Sequence, residues 1–438
     1  MAAALARRQG ISGQYGTGRA PRRGLCGPGC QAAPRRGGRG LNAADETAGR
    51  GLRSIFLATG ITVFGPLPAF LLGGLAVLIR EELQFSEARL GIAVAVFFAL
   101  AAIGAAPAGH LADRVGARRV LRLGLAAAVL ALVTMTVAGT WAQLTVALAL
   151  AGAGHATLQV GSNLLLASDV PARIQGLAFG IKQSAIPLAT LTAGMAVPLV
   201  GTQWGWRWAY GGAAVIAALV LMMQGRLRSK SGRAGPRRRA PAPPAPFTRR
   251  QLLALAVAVA FGAGAANAFG AFLVEYAVHT GMSAGVAGTL LTTVSALGLG
   301  ARVVIGWLSD LRPSIDLVTV AGLLTAGGAA FAAFPLAGSG SPALWVAASV
   351  AFVGGWGWPG LMTYIVARAN SDAPATATGV AQAGVFAGAV AGPLLFGLAV
   401  SAVSYQLAWI GAAASQLVGA VLIVAVRQSH RRAVPAGE

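Results

Sequence analysis

The chain has 438 residues, 56% of them hydrophobic and only 11% charged, with a formal net charge of +22. That balance excludes an ordinary soluble domain, whose surface helices each carry a share of Asp, Glu, Lys and Arg. The basic excess is not a nucleic-acid footprint either, because the arginines crowd into the N-terminal tail, one central linker and short loops between apolar runs. Those runs are about 20 residues long, the length that crosses a bilayer core.

Residues 1–53 are rich in Arg, Gly, Ala and Pro and lack the apolar stretch of a secretory signal, so they read as a disordered cytoplasmic tail. Cys26 and Cys30, the only cysteines, are too few for a disulfide framework or a four-ligand metal site, and neither metal nor cofactor is expected. Apolar segments follow near 54–79, 90–110, 118–139, 141–168, 172–199 and 207–226, predicting a first bundle of six helices over 54–226. The stretch 227–250 combines Arg237-Arg238-Arg239 with a proline-rich run from Pro241 to Pro246 and reads as a cytoplasmic linker. Six more apolar segments near 251–278, 284–308, 316–336, 343–366, 374–400 and 404–426 predict a second bundle over 251–426, with a tail at 427–438.

The loops differ in charge. Those after odd-numbered spans hold Arg80, Arg89 and Arg207, offset by Glu81, Glu82 and Glu87. Those after even-numbered spans hold Arg114, Arg118, Arg119, Arg173, Arg312, Arg368 and the basic linker, and the C-terminus adds Arg427, Arg431 and Arg432. By the positive-inside rule, both termini and the linker are cytoplasmic in a multi-pass protein of the plasma membrane.

The two halves repeat at an offset of about 200 residues. Gly109-His-Leu-Ala-Asp113-Arg114 matches Gly306-Trp-Leu-Ser-Asp310, Gly180-Ile-Lys182-Gln183-Ser184 matches Gly379-Val-Ala381-Gln382-Ala383, and Trp208-Ala-Tyr-Gly211 matches Ala408-Trp-Ile-Gly411. The run Gly109-His-Leu-Ala-Asp113-Arg114-Val-Gly116-Ala-Arg118-Arg119 resembles the signature of the major facilitator superfamily between its second and third helices. The run Trp204-Gly-Trp-Arg-Trp-Ala-Tyr210 is similar to that superfamily too. The resemblance implies an all-α membrane protein of 12 transmembrane helices in two pseudo-symmetric six-helix bundles, working by alternating access. It also implies a cytoplasmic gate formed by Gly109, Asp113, Arg114, Gly116, Arg118, Arg119, Gly306 and Asp310. Physically, Gly109 would let two helix ends approach closely, Asp113 would pair with a helix N-terminus or an arginine, and Arg118 and Arg119 would anchor the third helix.

An ionisable side chain within a span is costly and marks a pathway by default. Lys182, nine residues after Arg173, lies about 13 Å along the fifth span. Two readings stay open for it: an ammonium facing a cavity and binding an anion or pairing with an acid, or a structural lysine satisfied by carbonyls. Gln183 beside it need not share its face. Arg302, eight residues before Asp310, lies about 12 Å inside the eighth span. It resembles the eighth-helix arginine of carboxylate carriers in the superfamily; the alternatives are snorkelling toward Asp310 or capping carbonyls. His155, Gln159, Ser162 and Asn163 form a polar stripe on the fourth span, expected to meet water, with His155 a candidate to carry a proton. Glu275, near Tyr276 and His279, is a second coupling candidate or simply reaches the interface. Asn267, Gln382, Trp356, Trp358 and Tyr364 complete the candidates for a binding cavity, with Trp356-Gly-Trp-Pro359-Gly360 reading as a break in the tenth span.

The fourth span lacks an arginine ahead of Gly152, and the fifth has Ile186-Pro187-Leu188 where drug–proton antiporters carry a Gly-Pro pattern. With Lys182 and Arg302, this favours a secondary transporter for a small anionic solute, similar in outline to the cyanate, nitroimidazole and monocarboxylate-type branches. Proton-coupled multidrug efflux is the alternative. No metalloprotease, nucleophile-elbow or P-loop pattern is present, so the chain does not read as an enzyme or a nucleotide-driven pump. The expected partners are a small-molecule substrate, lipid and a coupling proton, with no nucleic acid and a monomer as the working unit.

Overall fold

The apolar runs fold as helices whose starts are set by short polar side chains. Ser86, Thr140, Thr248, Asp316 and Ser341 each accept a hydrogen bond from a backbone N–H of the first turn, and Thr248 forms a reciprocal capping box with Gln251. Gly116, Gly205 and Gly281, at φ of 84°, 93° and 103°, make the sharp reversals after the second, fifth and seventh spans. The computed structural model describes residues 51–170, 174–225, 246–311, 316–337, 341–370 and 374–433, and no strand occurs among them. Eleven helices among the described residues are long and apolar enough to cross a membrane, and a bent pair makes a twelfth.

The bent pair is α1, Gly51–Val63 and Leu67–Gly74, which meet at 47°. Pro66 and Pro68 remove two backbone donors there, so a span expected to be continuous is broken. The others are α2 Glu87–Val115, α3 Ala117–Thr136, α4 Trp141–Asp169, α6 Trp206–Gly225, α7 Arg249–His279, α8 Ala284–Leu311, α9 Leu317–Ala333, α11 Pro374–Ala402 and α12 Tyr405–Ala433. Two more are interrupted: α5 runs Gln175–Gln183 and then Ala185–Ala196, and α10 runs Pro342–Trp356 and then Pro359–Ala369.

Lipid gives little hydrophobic drive for helix association, so close backbone packing supplies it. Gly384, Gly388 and Gly392 of α11 lie one turn apart, and a Cβ on any of them would overlap a carbonyl oxygen of Ala256, Ala260 or Gly264 on α7. On the other side of the molecule, Gly152 of α4 sits against the Phe97 carbonyl of α2 in the same way.

Three contacts of this kind join the N-terminal set of helices to the C-terminal set. Gly73 of α1 meets Gly270 and Ala271 of α7, Gly91 of α2 meets Pro393 and Gly397 of α11, and Gly194 of α5 meets Gly288 and Thr292 of α8. All three lie away from the end that carries Gly109 and Gly306. At that other end a Cβ on Gly109, Gly180, Gly306, Gly360 or Gly379 would meet no heavy atom within 4 Å. The molecule is sealed at one end and parted at the other.

This asymmetry predicts how substitutions behave. Gly388→Val is expected to destabilise by about 1–3 kcal/mol through overpacking. Gly379→Ala, placed in open space, is expected to leave melting unchanged or raise it, since alanine is the better helix former. Thermal unfolding of the purified variants in detergent reads both, and equal melting temperatures for the two would refute the packing argument.

Candidate functional site

The breaks in α5 and α10 face each other across the molecule, and one side chain joins them. Pro187 has no N–H to offer the carbonyl four residues earlier, so the Gln183 oxygen lacks its helical partner. Arg302 of α8, itself only 6% exposed, donates from Nη1 to that oxygen. Its Nε donates to the Trp356 carbonyl at the end of the first half of α10, at 2.6 Å. The third nitrogen, Nη2, is buried and has no partner among the described residues. Arg302 thus caps carbonyls, and the alternative of snorkelling toward Asp310 is not what the side chain does.

Arg302 also lines a cavity of about 40 Å³. Gly180 and Gln183 form one wall, and Gly306, Ser309, Gly360 and Tyr364 form much of the rest. The cavity therefore runs from the Arg302 bond toward the parted end. No carboxylate lines it among the described residues. Tyr364 accepts a hydrogen bond from Arg368 Nη1 at 3.1 Å, which holds the phenol at the wall.

Lys182 is 2% exposed and turns toward α4, donating to Gln159 Oε1 and, at 3.0 Å, to Asn163 Oδ1. Its partners are side-chain amides, and among the described residues it has no carboxylate. His155 lies one turn further along the same α4 face, buried against Phe97, with Nδ1 unpaired. Gly65, at the α1 break, leaves room for that ring. The stripe expected to face water is thus buried at His155 and Ser162 and exposed only at Asn163. Ser162 bonds the Gln159 backbone carbonyl at 3.0 Å and is not directed at a ligand.

The remaining candidates are dispersed. Asn267 is buried on α7, donating to the Ala263 carbonyl at 2.8 Å, with Oδ1 unpaired. Gln382 is exposed on α11. Trp356 packs edge-on against Phe70 of α1 at 5.9 Å, whereas Trp358 is core in the C-terminal set. Glu275 does not reach the interface: it is 5% exposed and ion-paired with Arg80. Arg80 also bonds Glu87 at 2.8 Å and the Phe85 carbonyl at 2.8 Å, while the Ala88 amide donates to Ser401 of α11 at 2.9 Å. This cluster lies at the sealed end, where it lines an open pocket of about 620 Å³. Nearby, a hydrogen bond from Arg207 holds the Glu82 carboxyl below its usual range, and Trp206 Nε1 bonds the same carboxylate at 2.7 Å.

Of the gate motif, Arg114, Gly116 and Arg119 are exposed at the parted end, and Arg118 is half-buried. Gly109 makes no close approach, contrary to expectation, because that end is parted. The side chains of Asp113 and Asp310 lie outside the described residues. Sequence reasoning passed over Arg80 as the counter-ion of Glu275, although a buried acid demands one. It also passed over the Gly384, Gly388, Gly392 spacing, a readable signal for close packing.

The family model described as Major Facilitator Superfamily matches residues 55–357 and 265–438. No curated protein matches the chain in sequence. Among solved structures, the chain is similar to a bacterial homolog of the human lysosomal transporter Spinster in its inward-facing, unoccupied conformation. That match has 19% identity and a TM-score of 0.65 over 87% of this chain and 96% of that one. The occupied inward-facing form of that homolog matches with 17% identity and a TM-score of 0.66, over 86% and 95%. A D-xylose–proton symporter matches with 17% identity and a TM-score of 0.68, over 85% and 97%.

The sealed end yields a test. Removing Arg80 strands the Glu275 carboxylate, so Arg80→Ala is expected to cost about 3–5 kcal/mol, and Glu275→Gln in the same chain should recover part of it. Additive losses in thermal melting would show that the pair is not coupled.

Proposed function

The chain belongs to the major facilitator superfamily, and from that premise we propose that it carries a small anionic solute across the plasma membrane by alternating access. It is a multi-pass secondary transporter and not an enzyme. The observation that carries the choice of solute is Arg302: a buried guanidinium with an unpaired nitrogen, lining a cavity that has no described carboxylate. A guanidinium in a low-dielectric site binds a carboxylate or similar oxyanion through paired hydrogen bonds, and the same site repels a lipophilic cation. This lining disfavours the multidrug reading.

The two bundles, 54–226 and 251–426, are the bodies that rock, joined by the linker 227–250. With the basic loops inside, both termini and the parted end face the cytoplasm, and the outer end is the sealed one. Lys182 supplies a second cation one residue from the cavity wall, held by Gln159 and Asn163 until an anion takes their place. Gln183 and Tyr364 shape the wall, while Asn267 and Gln382 stand farther from the charge. His155, beside Lys182, and Glu275, at the outer seal, are the groups placed to couple transport to protons. The gate residues Gly109, Asp113, Arg114, Gly116, Arg118, Arg119, Gly306 and Asp310 close the cytoplasmic side in the opposite state. The monomer contains the whole pathway.

Uptake of radiolabelled acetate, lactate and other small carboxylates into proteoliposomes tests this reading. Lys182→Ala and Arg302→Ala are each expected to lower uptake at least ~10-fold, the scale of losing one charge-assisted contact of about 1.5–3 kcal/mol. Wild-type uptake matched by Lys182→Ala would remove that residue from the mechanism. Lowered accumulation of lipophilic cationic dyes in cells expressing the protein, with no carboxylate uptake, would favour efflux instead.

A further inference from the structure

We infer that Arg302 is a positioning residue that converts solute binding into separation of the two bundles, by exchanging a backbone carbonyl of α5 for the bound anion. The inference rests on the anion-carrier reading and adds to it a physical link between occupancy and motion.

The guanidinium has three donor positions, used unequally. Nε holds the Trp356 carbonyl within its own bundle. Nη1 holds the Gln183 carbonyl of the other bundle, and Nη2 is free. A carboxylate binds a guanidinium best along the edge formed by two parallel N–H groups. On the Nη1–Nη2 edge, Nη2 is free among the described residues, and Nη1, which carries two N–H groups, gives one to a neutral carbonyl. A carboxylate entering from the cavity binds that edge and competes with the carbonyl for Nη1, because a charge-assisted bond is roughly twice as strong as a neutral one. The Nε bond to Trp356 stays, so the anion remains attached to α8 and α10 while α5 is released.

The released bond crosses between the bundles. It also forms the floor of the cavity, since the lining runs from Arg302 and Gln183 outward to Ser309 and Tyr364. Breaking it removes both the obstruction to deeper passage and a tie between the moving bodies. Pro187 is what makes the tie available: an ordinary residue there would offer its own N–H to Gln183 and leave the arginine a weaker claim.

The full chain in lipid nanodiscs, with Cys26→Ser and Cys30→Ser, carries spin labels at Leu111→Cys on α2 and Gly379→Cys on α11. Both positions are exposed at the parted end. The probes are acetate, lactate, nitrate and sulfate at constant ionic strength, with binding read by thermal shift and opening read by the inter-label distance. In the wild-type background, a stabilising anion is expected to shift the distance distribution. Pro187→Ala leaves Arg302 intact and should still be stabilised by the anion, yet its anion-free distances should already be displaced toward the bound form. Arg302→Lys, whose compact ammonium lacks the planar fork that spans the two carbonyls and presents paired N–H groups to a carboxylate, should show the displaced distances and lose the anion-dependent shift.

An anion that stabilises the wild type without changing its distances overturns the inference and leaves the carrier reading standing. So do anion-free distances that are identical in wild type and both variants. If none of the four anions stabilises the wild type, the carrier reading fails and the exchange fails with it.

Discussion

A helix interrupted inside a bilayer leaves carbonyl oxygens that water cannot reach, and each must find a donor from the protein. This constraint organises the centre of the transporter. Pro187 frees the Gln183 carbonyl, and the turn from Gly357 to Pro359 leaves the Trp356 carbonyl at a helix end. One arginine answers both. Its position is therefore set by the backbone on two sides, which is why a costly charge is held at a defined depth with a nitrogen to spare. Lys182 obeys the same rule with different partners, its ammonium satisfied by two amide oxygens of α4. Both cations are held by neutral acceptors among the described residues, which an incoming anion can displace.

The packing between helices obeys a second, complementary rule. Within the C-terminal set, glycine brings the backbones of α7 and α11 against each other along two turns. At the end that carries Gly109 and Gly306, the glycines stand open. The ion cluster of Arg80, Glu87 and Glu275 supplements the backbone contacts at the sealed end, joining α7 to the short helix Ala76–Leu83 that follows α1.

Much of this was legible in the amino acids. The period of apolar runs, the basic loops and the repeated motifs pointed to twelve spans and to the superfamily, because bilayer thickness and backbone satisfaction leave a sequence few alternatives. The break in α10 was readable from Trp356-Gly-Trp-Pro359, whereas that in α1 was hidden in an apolar run whose prolines were not weighed. Lys182 and Arg302 stood out as intramembrane charges, but their partners did not. Gln159 was seen as part of a stripe and not as a ligand of Lys182, since pairing between helices depends on rotation about each axis. Arg80 was read as a loop charge because its role is fixed by an acid 195 positions away. The Gln183 carbonyl could not be singled out, as a backbone atom carries no side-chain signature.

The glycine contacts at the sealed end have a kinetic meaning. A barrier built from interlocking side chains must freeze rotamers on every closure, at about 0.5–1.5 kcal/mol for each flexible chain immobilised. Gly73, Gly91, Gly194 and Gly288 have no rotamers to freeze, so closing that end carries little ordering entropy. Closure then depends on rigid surfaces meeting over short distances, where attraction fades quickly as they separate. Such a seal is tight when shut, and its hold falls steeply with small separations.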